Sequence, residues 1–451
     1  MPNLNITYNE SSGDINFTDA EGVTTTYIPG DIAWILASTA LVWIMIPGLG
    51  FFYSGLLRRK NALSAMWMSV CVLAVVSFQT YAEPSAGSDR LPSLVFCVYQ
   101  LMFAAITPMI ALGAVAERGR LGPVLVFTFI WATLVYDPIA CWTWNPNGWS
   151  FVMGGLDFAG GSPVHISSGT AALAISIYLG KRRGYGTDRL AYKPNNTSYV
   201  ILGTVFLWFG WFGFNGGSAL SANIRAAMAC FVTNLAASVG GITWMLWDYR
   251  IEKKWSAVGF CSGAIAGLVA ITPGSGFVGA PAAVLFGFMA GTVCNFATQL
   301  KFFFKYDDTL DIFASHGIGG IVGNILTGLF AEKGIAALDG VADIPGGWLD
   351  RNFIQLGYQL ADSAAAFGYS FVMTTIILWL MHFIPFLRLR GSEEAEIVGL
   401  DEYDMGEFAY DYVGLEQEIG HEIETKMGDA TTGGREPRHH ASSSGSSHQE
   451  K

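Results

Sequence analysis

Two of the chain's seven histidines, His165 and His316, lie within long apolar stretches. An ionisable side chain at such depth is costly, which makes both candidates for function. His316 follows Lys305 by eleven residues and His165 precedes Lys181 by sixteen. In helices these spacings put them roughly 16 and 24 Å above the inner membrane face. A neutral imidazole offers one hydrogen-bond donor and one acceptor. Two adjacent rings could share a proton and still present an N–H or a lone pair to a small polar molecule. The competing reading makes each a separate, satisfied packing residue. His382 stands apart, because Arg388 places it near the inner interface. His439 and His440 could bind metal weakly, but an unstructured tail is the simpler account.

A second constellation is aromatic: Phe103, Trp144, Trp211 and Phe214. Ring faces attract cations at a pore mouth by about 0.5–2 kcal/mol. An interfacial aromatic belt is the alternative. Asp157 precedes His165, and Asp308 and Asp311 precede His316. A carboxylate there caps free backbone N–H groups and complements the helix dipole; for Asp157 direct cation binding is the other possibility. Cys71, Cys97, Cys141, Cys230, Cys261 and Cys294 occur singly, as small apolar residues do. No nucleophile–base pair, phosphate loop or metal-ligand spacing is evident. Neither an enzyme nor a cofactor or metal requirement is therefore expected.

The elements that must position these residues are membrane helices. Hydrophobic residues make up 52% of the 451 and charged residues 14%, well below the roughly 25% of soluble domains. The 54 glycines favour close helix packing. A bilayer core about 30 Å thick needs about 20 apolar residues. Eleven such runs are expected, at about 32–53, 62–82, 91–116, 121–140, 163–179, 199–215, 224–247, 256–272, 279–300, 312–330 and 364–387. Alternate connections carry the basic residues, from Arg58, Arg59 and Lys60 through Arg118 and Arg120 to Arg388 and Arg390. The positive-inside rule then sets the N-terminus outside and the C-terminus inside, which requires an odd number of spans. The reading is an all-α polytopic membrane protein with an outer tail (1–31), a membrane domain (32–388), a solvated acidic cytoplasmic tail (389–427) and a disordered end (428–451). The net charge of −11 argues against nucleic acid. Asn5, Asn9 and Asn16 open glycosylation triplets in the outer tail. Asn195 and Asn196 do so in an inner loop, where they should be unused.

The two halves look related. Asp157 and His165 are followed by Ser167, Ser168 and Gly169; Asp311 and His316 by Gly317, Gly319 and Gly320. Pseudo-repeats at about 32–181 and 199–333, offset by five spans, place the second copy inverted in the membrane. Inverted repeats put a site near the midplane.

The runs Asp157-Phe158-Ala159-Gly160-Gly161-Ser162-Pro163-Val164-His165, Gly210-Trp211-Phe212-Gly213-Phe214-Asn215-Gly216-Gly217-Ser218 and His316-Gly317-Ile318-Gly319-Gly320 resemble signatures of the Amt/Mep/Rh ammonium transporter family. The similarity covers about 32–412; the runs 136–149 and 392–396 look fungal, and His165, where fungal low-affinity-type permeases often carry Glu, resembles the high-affinity branch. The resemblance implies eleven helices, a plasma-membrane homotrimer and a pore in each subunit for ammonium and methylammonium. It assigns Phe103, Trp144 and Ser218, with Trp211 nearby, to ammonium recruitment, and Phe103 and Phe214 to a gate. His165 and His316 become the paired pore histidines that relay the substrate's proton, and Asp157 is largely structural. It also implies a regulatory tail open to a kinase or signalling partner. One departure stands out: after Gln79 the chain runs almost directly into the third span, where the family has a loop longer by roughly 25–30 residues, against connections of about 4–6 in general. Three function classes follow: a transporter, an ammonium sensor controlling filamentous growth, and a transport-impaired subunit with a shortened outer loop.

Overall fold

The computed structural model describes residues 5–9, 11–18, 24–77, 90–187 and 193–410. Nine helices among them are long and apolar enough to cross a bilayer: Pro29–Leu56, Arg59–Val76, Ser93–Leu112, Leu121–Met153, Thr197–Gly217, Ile224–Glu252, Ala280–Phe303, Phe313–Phe330 and Gln355–His382. The shorter apolar helix Ala257–Ile271 is the eighth span in chain order. The fifth is a π turn, Gly161–Ile166, that runs into the helix Ser167–Leu179. Nine plus two gives eleven. In hydrocarbon a helix satisfies its backbone within one segment, which is why apolar runs of this length take that form.

Contacts between connections sort the chain into two faces. The connections after spans one, three, five and nine meet through ion pairs. Glu117 binds Arg58 at 3.0 Å and Arg182 at 2.8 Å, and Asp307 binds Arg182 at 2.9 Å and Arg118 at 3.0 Å. Arg118 and Glu117 are almost fully buried. Removing one member of such a network costs about 3–5 kcal/mol, because its partner is left as a buried charge. These are the basic loops, so this is the inner face. At the other face Asp31 accepts the Ala222 N–H at 2.8 Å, and Arg225 pairs with Asp339 at 3.1 Å.

The structure departs from the sequence reading in three places: the outer tail, the last helix and the acidic tail. The outer tail contains an antiparallel meander, Asn5–Tyr8, Ile15–Thr18 and Thr24–Tyr27, built from β-branched and aromatic residues. Asn9 sits exposed at its first turn, and Asn16 accepts the Thr26 hydroxyl at 2.7 Å. Asn195, at the inner face, is engaged by the Ser54 and Leu57 carbonyls. The last helix begins at Gln355, nine residues before the expected start. Gln355, Gln359 and Asp362, too polar for a lipid-facing turn, point inward and are buried.

The acidic tail is not solvated throughout. A short helix, Glu393–Val398, and a π turn, Asp401–Met405, dock on the inner face with Glu396 and Asp401 buried. Asp401 accepts the N–H groups of Leu63 at 2.9 Å and Ser64 at 2.8 Å, and Asp404 that of Leu121 at 3.0 Å. Both thereby cap helix N-termini, of the second and fourth spans, whose free donors attract carboxylates. The second helix is described to Ser77; the connection expected to be short, and residues 411–451, lie outside the described residues.

Candidate functional site

His165 and His316 reach each other. Their Nδ1 atoms lie 3.2 Å apart and the ring centroids 5.3 Å, although the depths expected from sequence differ by roughly 8 Å. Each sits in a π turn opening its helix, Gly161–Ile166 and Phe313–Ile318. Such turns re-aim side chains and recur at functional sites. Close crossing of the two helices makes the pair possible. A Cβ on Gly169 would fall 2.1 Å from the Gly317 nitrogen, so that position has no room for a side chain.

Asp157 and Asp308 each stand eight residues before their histidine, since 165 − 157 = 316 − 308 = 8. Asp308, not Asp311, is thus the counterpart of Asp157. Asp157 accepts the N–H groups of Gly160 at 2.8 Å, Gly161 at 2.7 Å and Ser162 at 2.7 Å. Asp308 accepts that of Phe313 at 2.8 Å. Asp311 does not cap the span: it is left-handed at φ +55° and its carboxylate pairs with Lys301 at 2.8 Å. Burial, and then the Asp311 charge, push the Asp308 carboxyl up to about 6.

The aromatic rings form a file leading to the histidines. Trp144 meets Phe103 edge-on at 5.8 Å, and Phe103 lies against Phe214 at 4.3 Å. Phe214 is 6.0 Å from the His165 ring and roughly parallel to it. Trp144 is half-buried, while Phe103 and Phe214 are closed off from solvent. Trp211, grouped from sequence with the recruiting residues, takes a different place. Its indole stacks on His165 at 5.5 Å and donates to Thr272 at 2.9 Å, one step further in. Ser218 donates to the Phe214 carbonyl at 2.8 Å. Tyr99, which the sequence reading passed over, lies one turn before Phe103 and meets its ring at 5.0 Å. Its hydroxyl reaches the Gly213 and Phe214 carbonyls, joining both rings of the stack to one anchor.

Below the rings opens a cavity of about 290 Å³. Its walls include Leu49, Ile106, Ile110, Leu207 and Ile265, with His165 and His316 on one side and Arg182, Lys301 and Asp311 at the inner end. His165 Nε2 is buried with no protein partner among the described residues. The arrangement therefore offers a polar atom to a passage whose walls are mainly apolar until the charged residues at its inner end.

Comparison with known proteins fits this geometry. The profile of the Ammonium Transporter Family matches residues 33–83 and 77–410. The two matches overlap at 77–83, beside the connection expected to be short. Ammonium transporter 1 of Schizosaccharomyces pombe is 54% identical over 415 residues, covering 86% of this chain and 83% of that protein. Ammonium transporter MEP2 of Saccharomyces cerevisiae is 45% identical over 416 residues, covering 84% and 83%. The crystal structure of Candida albicans Mep2 superposes with a TM-score of 0.77 at 47% identity, covering 82% of this chain and 87% of that one. This is a family of membrane transporters and not of enzymes, and the chain belongs to it: the ammonium transporter family.

Proposed function

We propose that this chain recruits ammonium at Trp144, Phe103 and Ser218, that the ion gives up its proton near the Phe103–Phe214 gate either to the outer water or to the imidazole pair, and that ammonia passes along the cavity beside His165 and His316. The observation that carries this reading is the 3.2 Å imidazole pair standing directly behind a closed aromatic stack. A bare cation would pay heavily in desolvation to enter that passage. The orphaned His165 Nε2 can bind neutral ammonia, and the shared Nδ1 contact lets a proton pass between rings. Asp157 serves the pore by capping its helix. Ammonium uptake, measured by growth of transporter-null yeast on low ammonium, is expected. Bilayer recordings under an ammonium gradient decide whether the proton follows: current marks electrogenic passage, and silence with retained uptake marks net ammonia flux.

Exposed apolar residues on spans six, seven and nine, among them Phe209, Phe231 and Phe288, support a lipid-facing or copy-facing surface. A plasma-membrane homotrimer accords with it; mass measurement of the purified protein in detergent tests the trimer. A second reading, ammonium sensing, is favoured by the docked tail, whose Asp401 and Asp404 reach two spans at once. His165→Ala that loses filamentous growth but keeps uptake would separate sensing from transport. Uptake beside a variant with the outer loop lengthened tests the third reading, a transport-impaired subunit.

A further inference from the structure

The first two turns of the last helix present a row of buried polar side chains to the segment that carries Asp157. Gln359 uses its carboxamide as a strand would use a peptide: Oε1 accepts the Leu156 N–H at 2.7 Å, and Nε2 donates to the Leu156 carbonyl at 2.7 Å. Gln355 donates to the Gly154 carbonyl at 2.8 Å. Asp362 holds both ends of the same segment, accepting the hydroxyl of Ser150 at 2.6 Å and that of Ser162. Between these clamps the Asp157 carbonyl accepts the Trp144 indole N–H at 3.1 Å. The orientation of Trp144 is thus set through Asp157 by a helix that contributes no ring to the file.

We propose that Gln359 and Asp362 are positioning residues for cation recruitment, acting through the Leu156–Asp157 backbone on Trp144. The inference rests on the recruiting role proposed above for Trp144. A buried amide that must satisfy both backbone polar groups of one residue has a single productive pose, so it transmits position well. Gln359→Glu keeps shape but turns the Nε2 donor into an acceptor facing the Leu156 carbonyl. Asp362→Asn keeps shape and removes one acceptor.

Concentration dependence of methylammonium uptake, in cells matched for surface protein, tests this. Each single variant is expected to raise KM roughly three- to tenfold while the maximal rate stays within about twofold, the scale of one lost hydrogen bond. In a Trp144→Leu background the same changes should add nothing further to KM, because the residue they act through is gone. A drop in maximal rate alone, or KM effects that multiply in the double variants, overturns the proposal. If Trp144→Leu itself leaves KM unchanged, the recruitment reading fails instead, and no uptake by the parent chain would fail the transport reading.

Discussion

Asp157 at the outer face and Asp308 at the inner face open the two histidine helices from opposite sides, yet they live in different company. Asp157 is held by three backbone N–H groups, and its neighbour Asp362 by two hydroxyls, all neutral donors. Asp308 keeps one short backbone bond, and its Oδ1 is buried with no partner among the described residues. Around it stand full charges: the Lys301–Asp311 pair and the Arg118–Asp307–Arg182 cluster. The mirrored repeat thus reproduces the cap, the π turn and the histidine, while each mouth is furnished separately. A mouth whose acid is held by neutral donors, beside a file of rings, suits arrival of a cation, by the ring-face attraction of about 0.5–2 kcal/mol. A mouth laced with ion pairs suits docking of loops and tail.

The strongest way to break this comparison is at the helix crossing. Gly169→Ala drives a Cβ into the Gly317 backbone, whereas Gly317→Ala presses on the Phe313 ring at 2.7 Å and meets the Gly169 backbone only at an ordinary 3.5 Å. The first should destabilise by about 1–3 kcal/mol and abolish uptake by parting the imidazoles, and the second should do less. Thermal unfolding in detergent with parallel uptake checks the order; equal effects would mean that the two helices share the strain.

The caps come next. Asp157→Ala leaves three buried donors open and Asp308→Ala one, against about 0.5–2 kcal/mol for an average cap. Asp157→Ala should therefore lower the melting temperature more, and a reversed ranking would refute the assignment of the outer cap as the tighter one.

The smallest effect concerns pH. The Asp308 carboxyl, raised to about 6 by burial and Asp311, binds more protons folded than unfolded. Its contribution therefore improves as pH falls from 7 through about 6 and levels off below about 4. Burial works to raise Glu117 and Asp307 too, but their arginine partners outweigh it and hold both low. Their stabilisation is present above about pH 4 and is lost as pH falls further through the folded values. Melting temperature against pH should show a shallow rise and then a fall. Asp308→Asn should shrink the rise, with the remainder due to Asp157, whose carboxyl burial pushes up to about 7, and leave the fall.

Much of this was legible in the residues. Long apolar runs with alternate basic loops led to eleven helices and two faces, because bilayer thickness and backbone satisfaction leave few alternatives. His165 and His316 were visible as imidazoles too deep to be accidental. Gln355, Gln359 and Asp362 were missed because hydropathy trims polar turns from a helix end, although an acid inside a span is itself a signal. Trp211 was misplaced because its membrane depth cannot say which side of Phe214 it occupies. Asp311 was matched to Asp157 on proximity to His316, when the spacing of eight pointed to Asp308. The tail looked solvated because composition carries no sign of the helix N-termini that Asp401 and Asp404 would cap.

What the chain determines locally is therefore the spans, their order across the bilayer, the two deep imidazoles and the acids that open their helices. Each follows from the cost of exposing polar groups to hydrocarbon, and that cost acts on short segments. The meeting of the rings at 3.2 Å, the inward row of polar groups on the last helix and the docking of the tail arise elsewhere. They depend on which helices cross and how closely, and pairings between residues 150 to 340 positions apart are decided by packing of the whole bundle.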